Sequence, residues 1–398
     1  MTRPPLPAAG AGSDGAAGGS GAPRAAQQEV VDVAAASEIE ALQAALGAAP
    51  ALAVDVETNA MYAYRGRLCF VQVGTGERIW VVDTLAPGVS PSIFAEAFAD
   101  PGKRKVFHDA QGDLRVLARH GLEVRGLFDT HRAATLLGLE RNGLGDLVEA
   151  RFGVKLAKEH QTADFGQRPL PPELHAYVAD DVRFLLPLAE QLEAEAREKD
   201  VLEELALEFE RIAWEATQPE PPPKLKLPQG ARDALGLAIA RAADALRHRE
   251  AAARDVPVGR VLSNATLAEI AVRRPQNPRD LARVPGVRST FLRAAGDELL
   301  RAIRDLADAQ RRGALPPPPR QEGRFDPARR EREERLKAFR SEAARARGVT
   351  TSVVLPTPVL ERLLSQPPRD LEALAQVPWL GEKRVRLYGD AILAALHG

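Results

Sequence analysis

The chain has 398 residues, 45% of them apolar and 27% charged, with a formal net charge of −1. That length exceeds one typical core, so two or three domains are expected; no apolar run reaches the roughly 18 residues of a membrane span. The single cysteine, Cys69, excludes an internal disulfide and, within GRLCFVQV, reads as a buried thiol in a reducing cytoplasm.

Residues 1–29 are rich in Gly, Ala and Pro, lack the apolar core of a secretory signal, and read as a disordered tail. Proline-rich breaks at 219–223 and 313–319 read as stiff linkers. They divide the remainder into segments at 30–218, 224–312 and 324–398. Charge changes at the first break. Residues 30–218 carry 31 acidic against 19 basic side chains, whereas 219–398 carry 22 against 33. An acidic half repels nucleic acid unless metal ions neutralise it and a basic half supplies attraction.

In the first segment ALAVDVE, RLCFVQVG and RIWVVD read as three successive antiparallel strands. KVFH and GLFD are two more, followed by the helical patterns GDLRVLARHGL and THRAATLLGL. One long helix is expected from about Pro172 to beyond Leu207. The sum is a mixed sheet flanked by helices. The later segments are almost wholly helical and resemble each other, with Leu262 matching Leu355 and Pro285 matching Pro378, as in a duplicated small domain.

Strand periodicity puts Asp55 and Glu57 on one face while Val54 and Val56 enter the core. Asp113 falls in or near the first turn of the helix after KVFH, where an acid also favours the helix dipole. Tyr177 and Asp181, four apart on a helix, stack on one face, so a phenol could hold a water beside a metal-binding carboxylate. His175 and Asp180 compete for that role, but their five-residue separation points them roughly 140° apart. The apolar run after Asp181 keeps phase with Asp181 and favours the tyrosine. Carboxylates at the edges of apolar elements suit divalent cations held against a phosphate.

DVET, VFHDAQGDLRVL, LFDTHRAATLLG, FGVKLAKEHQTADFGQRPL and YVADDVRFLLPLAEQL, in that order, resemble the ribonuclease D family, DEDD-superfamily 3′→5′ exonucleases. DVPVGRVLSN in the second segment is similar to the HRDC domain that this family shares with RecQ-type helicases, and the third segment is a weaker copy. The family's usual Asp-Trp is Asp164-Phe165 here, and Val56 stands where Thr is commoner. The resemblance implies an RNase H-like α/β exonuclease domain followed by two all-α HRDC-type domains. It also implies two divalent ions, Mg²⁺ or Mn²⁺. Asp55 would bridge them, Glu57 and Asp181 would complete one site, Asp113 would hold the second, and Tyr177 would orient the attacking water. The implied substrate is RNA, such as a tRNA precursor trimmed from its 3′ end to nucleoside 5′-monophosphates. The setting is cytoplasmic, with no membrane and no obligate protein partner. Rival readings are a DNA exonuclease and a silent RNA-binding scaffold.

Lys158 and Arg168 read either as phosphate contacts or as solvated loop charges, and Asp129-Thr130 as support at a strand end. Trp214 and Trp379 read as core residues, and His108 and His120 receive no ligand role, since oxygen-rich sites suit Mg²⁺. Arg273-Arg274 and Arg311-Arg312 exemplify basic surface for sequence-blind backbone contact. Removal of 219–398 is expected to weaken RNA binding yet leave cleavage of short oligonucleotides.

Overall fold

A computed structural model describes residues 28–157, 162–220, 225–317 and 326–398. The expected tail through residue 27, Lys158, residues 221–223 of the first proline-rich break and 318–319 of the second lie outside the described residues.

Six strands form one mixed sheet: β1 (Glu29–Val33), β2 (Ala51–Thr58), β3 (Leu68–Gly74), β4 (Arg78–Asp83), β5 (Arg104–Phe107) and β6 (Leu127–Asp129). Their order is β1-β4-β3-β2-β5-β6. β2, β3 and β4 pair antiparallel as expected, while β5 and β6 add in parallel beside β2. β1, which begins inside the expected tail, pairs parallel with β4, and its Glu29 meets Arg78 at 2.8 Å.

Alternation along β2 separates two cores. Leu52, Val54 and Val56 pack with α1 (Ile39–Ala48), α2 (Ala95–Ala99) and α3 (Gln111–Arg119). The opposite face packs under α4 (Thr130–Leu137), α5 (Leu144–Phe152), α6 (Pro172–Arg183) and α7 (Leu185–Glu198). α8 (Leu202–Thr217) gives Leu205 and Phe209 to this second core and Ile212 and Ala216 to the first, closing the β6 edge. Cys69 is buried, and burial pushes its thiol up to about 11.

The single helix expected from Pro172 is instead three, α6, α7 and α8. Pro187 sits in the first turn of α7 and has no N–H to continue the ladder out of α6. Asp200, at φ 52°, then ends α7 in a left-handed turn.

Both C-terminal segments repeat one arrangement. The first has α9 (Ala234–Ala253), a turn of helix at Val258–Val261, α10 (Asn264–Arg273), another at Pro278–Ala282, and α11 (Asp297–Arg311). The second has α12 (Pro327–Arg347), Thr351–Val354, α13 (Thr357–Ser365), Leu371–Ala375 and α14 (Glu382–His397). Four of the five starts differ by 93 residues (234 to 327, 258 to 351, 264 to 357 and 278 to 371). Each segment has its own apolar core, with Leu281 and Leu374 at equivalent buried places. Asp233 and Asp326 cap the first helices in the same way, each accepting a backbone N–H in the opening turn.

The second segment is welded to the exonuclease unit. Glu204, only 1% exposed, accepts from Arg347 at 2.8 Å and Lys383 at 3.2 Å. Val353 joins the second of the two exonuclease cores, and Thr350 donates to the Leu136 carbonyl at 3.1 Å at the end of α4. Trp214 and Trp379 pack on each other across this junction, ring centroids 4.9 Å apart. Trp214 stays 50% exposed, so it is a junction residue and not the core residue expected. The first segment grips the loop between β2 and β3. Tyr64 donates its backbone N–H to Asp255 at 3.1 Å, and its hydroxyl meets His248 at 3.3 Å.

Candidate active site

β2 and α6 bring the principal side chains together. Val54 and Val56 anchor β2 in the core, which leaves Asp55 and Glu57 facing α6. Leu174, Val178 and Val182 bury the inner face of α6, and that phase turns Tyr177 and Asp181 toward the same cleft. Carboxylate oxygens of Asp55, Glu57 and Asp181 lie within 4.8 Å of one another. The Tyr177 hydroxyl is hydrogen-bonded to Asp181, and Phe165 stacks behind the phenol, centroids 6.3 Å apart.

Asp113 occupies the first turn of α3 and stands outside that close triplet. It remains in its field, because burial and then the charges of Asp55 and Glu57 raise its carboxyl well above the ordinary range. Burial and Asp55 push Asp181 up to about 8, and burial with Asp55 and Asp181 pushes Glu57 up to about 9. Burial raises Asp55 to about 7 and is also the main cause that lifts the Tyr177 phenol. The charges responsible for these shifts are carboxylates; among the described residues no side-chain cation offsets them. An all-oxygen donor set with unrelieved repulsion fits hard divalent cations.

The turn before Asp113 is itself strained and clamped. Asp109 has φ 59°, and the buried Asp129 carboxylate accepts N–H groups from Asp109 (3.1 Å), Ala110 (3.0 Å), His131 (2.9 Å) and Arg132 (3.1 Å). Thr130 donates to the Phe107 carbonyl at 3.0 Å. This pair therefore fixes the strand end as expected.

The cleft has a volume of about 580 Å³. Sequence reasoning missed several of its walls: Asp109, His131, Gly143–Gly145 and the Leu156-Ala157 pair. His131 lies one residue beyond the Asp129-Thr130 pair, which was the signal that could have found it. His108, given no ligand role, lines the cleft as well; burial lowers it to about 4, and it bonds Thr130 at 2.9 Å.

The competing pair is engaged elsewhere. His175 bonds Asp32 on β1, and Asp180 pairs with Arg183 at 2.8 Å. Arg168 is exposed but paired: it makes a two-pronged bond to Asp83 at 2.6 Å, lies over the Phe70 ring and donates to the Phe165 carbonyl at 2.7 Å. Arg273, Arg274 and Arg311 are each paired with a nearby carboxylate, so they make a weaker basic surface than their spacing suggested.

Residues 30–197 match the family model described as a 3′-5′ exonuclease, and 236–303 and 329–396 each match the HRDC domain. Ribonuclease D of Acidiphilium cryptum is 32% identical over 366 residues, 89% of this chain and 91% of that protein. Ribonuclease D of Gluconacetobacter diazotrophicus is 32% identical over 360 residues, 88% of each chain. The crystal structure of Escherichia coli RNase D superimposes with a TM-score of 0.71 at 23% identity, covering 93% of this chain and 99% of that one, which shows the shared fold. With the domains in the same order and the likeness spanning nearly the whole length, this chain belongs to the ribonuclease D family of 3′-5′ exonucleases.

Proposed function

We propose that the cleft holds two divalent cations, Mg²⁺ or Mn²⁺, and removes nucleoside 5′-monophosphates one at a time from the 3′ ends of structured RNA, tRNA precursors among them. The observation that carries this reading is the convergence of Asp55, Glu57 and Asp181 within 4.8 Å, with no cationic side chain among the described residues to offset their charges. Bound cations supply an activated water and relieve charge on the departing 3′-oxygen. Asp55, Glu57 and Asp181 would hold the ions between them, with Asp113 as the further carboxylate beside the cluster. Tyr177, bonded to Asp181 and backed by Phe165, orients the attacking water.

Basic excess in 219–398 supports sequence-blind attraction to the phosphate backbone. The Escherichia coli enzyme of the same fold is an exoribonuclease involved in structured RNA processing, which favours RNA over DNA here. Digestion of a 5′-labelled tRNA precursor beside DNA of the same sequence tests the substrate class. Stepwise loss of the 3′ extension from RNA alone is expected, and equal digestion of both would sink the RNA assignment.

A further inference from the structure

Gln72 lies in the middle of β3, directly opposite Asp55 on β2. Opposed residues of an antiparallel pair project to the same face with Cβ atoms about 4.5–5.5 Å apart. Its side chain therefore shares the Asp55 face, beneath the helix that carries Tyr177 and Asp181. Gln72 is fully buried, yet neither its Oε1 nor its Nε2 has a hydrogen-bond partner among the described residues. Its partner on the other side is Val81, whose side chain offers no polar atom. The rest of β3 is Leu68, Cys69, Phe70, Val71, Val73 and Gly74, all buried, so an apolar residue would suit the strand better. Buried amides are almost always paired, and an orphaned one calls for an explanation such as a functional role or a bound ion beside it.

We propose that Gln72 is a positioning residue for Asp55: when divalent cations occupy the acidic cluster, its amide bonds that carboxylate and holds it in its ligating orientation. This rests on the metal-site reading above. Carboxylates that ligate metals are themselves held by outer hydrogen bonds. The Nε2 group is a donor that an Asp55 oxygen can accept without surrendering its charge to a competing cation. No contact of Gln72 with RNA is involved, so substrate affinity should not depend on it.

The test uses the full-length chain with Gln72→Met, Gln72→Leu and, as a control, Asp55→Asn. Mn²⁺ affinity is read by calorimetric titration, alongside kcat and KM on an RNA oligonucleotide and melting of the ion-free protein. Both Gln72 variants are expected to bind Mn²⁺ about 10–100-fold more weakly. Their kcat should fall with KM unchanged, and the ion-free melting temperature should hold or rise. Wild-type Mn²⁺ affinity in both variants, alongside a control that has lost it, would overturn the proposal alone. Failure of both variants to fold, or earlier melting without ions, would also overturn it, since the amide would then be a structural partner. If Asp55→Asn binds Mn²⁺ like wild type, the metal-site reading itself has failed.

Discussion

Glu57 and Asp181 hold protons in the folded chain that the unfolded chain has already released, and this sets a pH signature. Their folded values, about 9 and 8, stand well above the ~4 of an unfolded carboxyl. The contribution of these two groups is thus fully present below about pH 4 and is lost as pH rises through 8 and 9, because the native state binds more protons across that window. Melting of the metal-free protein between pH 5.5 and 9 should show falling stability, restored by Mn²⁺. Glu57→Gln should flatten that slope, raise the ion-free melting temperature near pH 8 and remove activity by at least about 10²-fold. An unchanged slope in the variant would count against the cluster. Tyr177→Phe should lower kcat by about 10²-fold, in the range of lost water activation, with Mn²⁺ affinity intact. Loss of metal binding instead would make the phenol a structural support for Asp181. At this scale the sequence was highly legible. Spacing of two along β2 and of four along α6 chose the facing side chains, and the helix phase set His175 and Asp180 toward other partners. The open walls of the cleft were not legible, since His131 and the Gly143–Gly145 turn arrive by tertiary folding with no period of their own.

Asp129 shows how one element end governs another. Its carboxylate holds the left-handed turn at Asp109 and the first N–H groups of α4, so it sets the entry of α3 and hence Asp113. Asp129→Ala strands these buried donors and should cost about 2–4 kcal/mol of stability. Chemical denaturation reads that loss directly, and activity should fall along with it in the protein that remains folded. A change under 0.5 kcal/mol, roughly the size of an ordinary surface substitution, would contradict the clamp. Strands β2 to β6 were readable because their alternation and turn residues agree. β1 was not: EVVDV is short, abuts a Gly-Ala tail, and acquires strand character only by pairing with β4. The helices α6 to α8 read as one because their apolar phase and charge pairs run on, while the interruptions depend on Pro187 and on a single left-handed residue, Asp200. The duplication was legible from shared Leu, Pro and Arg-Asp-Leu. Its divergence is informative at one place, where Gly286 (φ 86°) has Trp379 (φ 58°) as its equivalent 93 residues later. A Cβ at Gly286 would fall 2.1 Å from the Thr266 hydroxyl, whereas the second copy has Val359 in place of Thr266 and its tryptophan packs on Trp214.

Across the whole molecule, the contrast between an acidic half and a basic half suits an enzyme whose acids serve cations and whose helical part meets phosphate. The junction was invisible in the sequence, because Glu204, Arg347 and Lys383 look like ordinary surface charges until they are buried together. Glu204→Ala leaves two cations facing a buried gap and should cost about 3 kcal/mol, read by denaturation of the full chain. A neutral result would mean that the second helical unit is not welded to α8. For the same reason a fragment ending at residue 218 should keep its metal-dependent chemistry yet melt earlier than the full chain, since Val353 and both partners of Glu204 depart with the helical half. Incubation of a 5′-labelled RNA oligonucleotide with the full-length wild type and Asp55→Asn, each in Mn²⁺ and in excess chelator, tests the central claim most directly. A ladder shortening one nucleotide at a time from the 3′ end is expected from the wild type with metal alone; the same ladder from Asp55→Asn, or from the wild type in chelator, would contradict it.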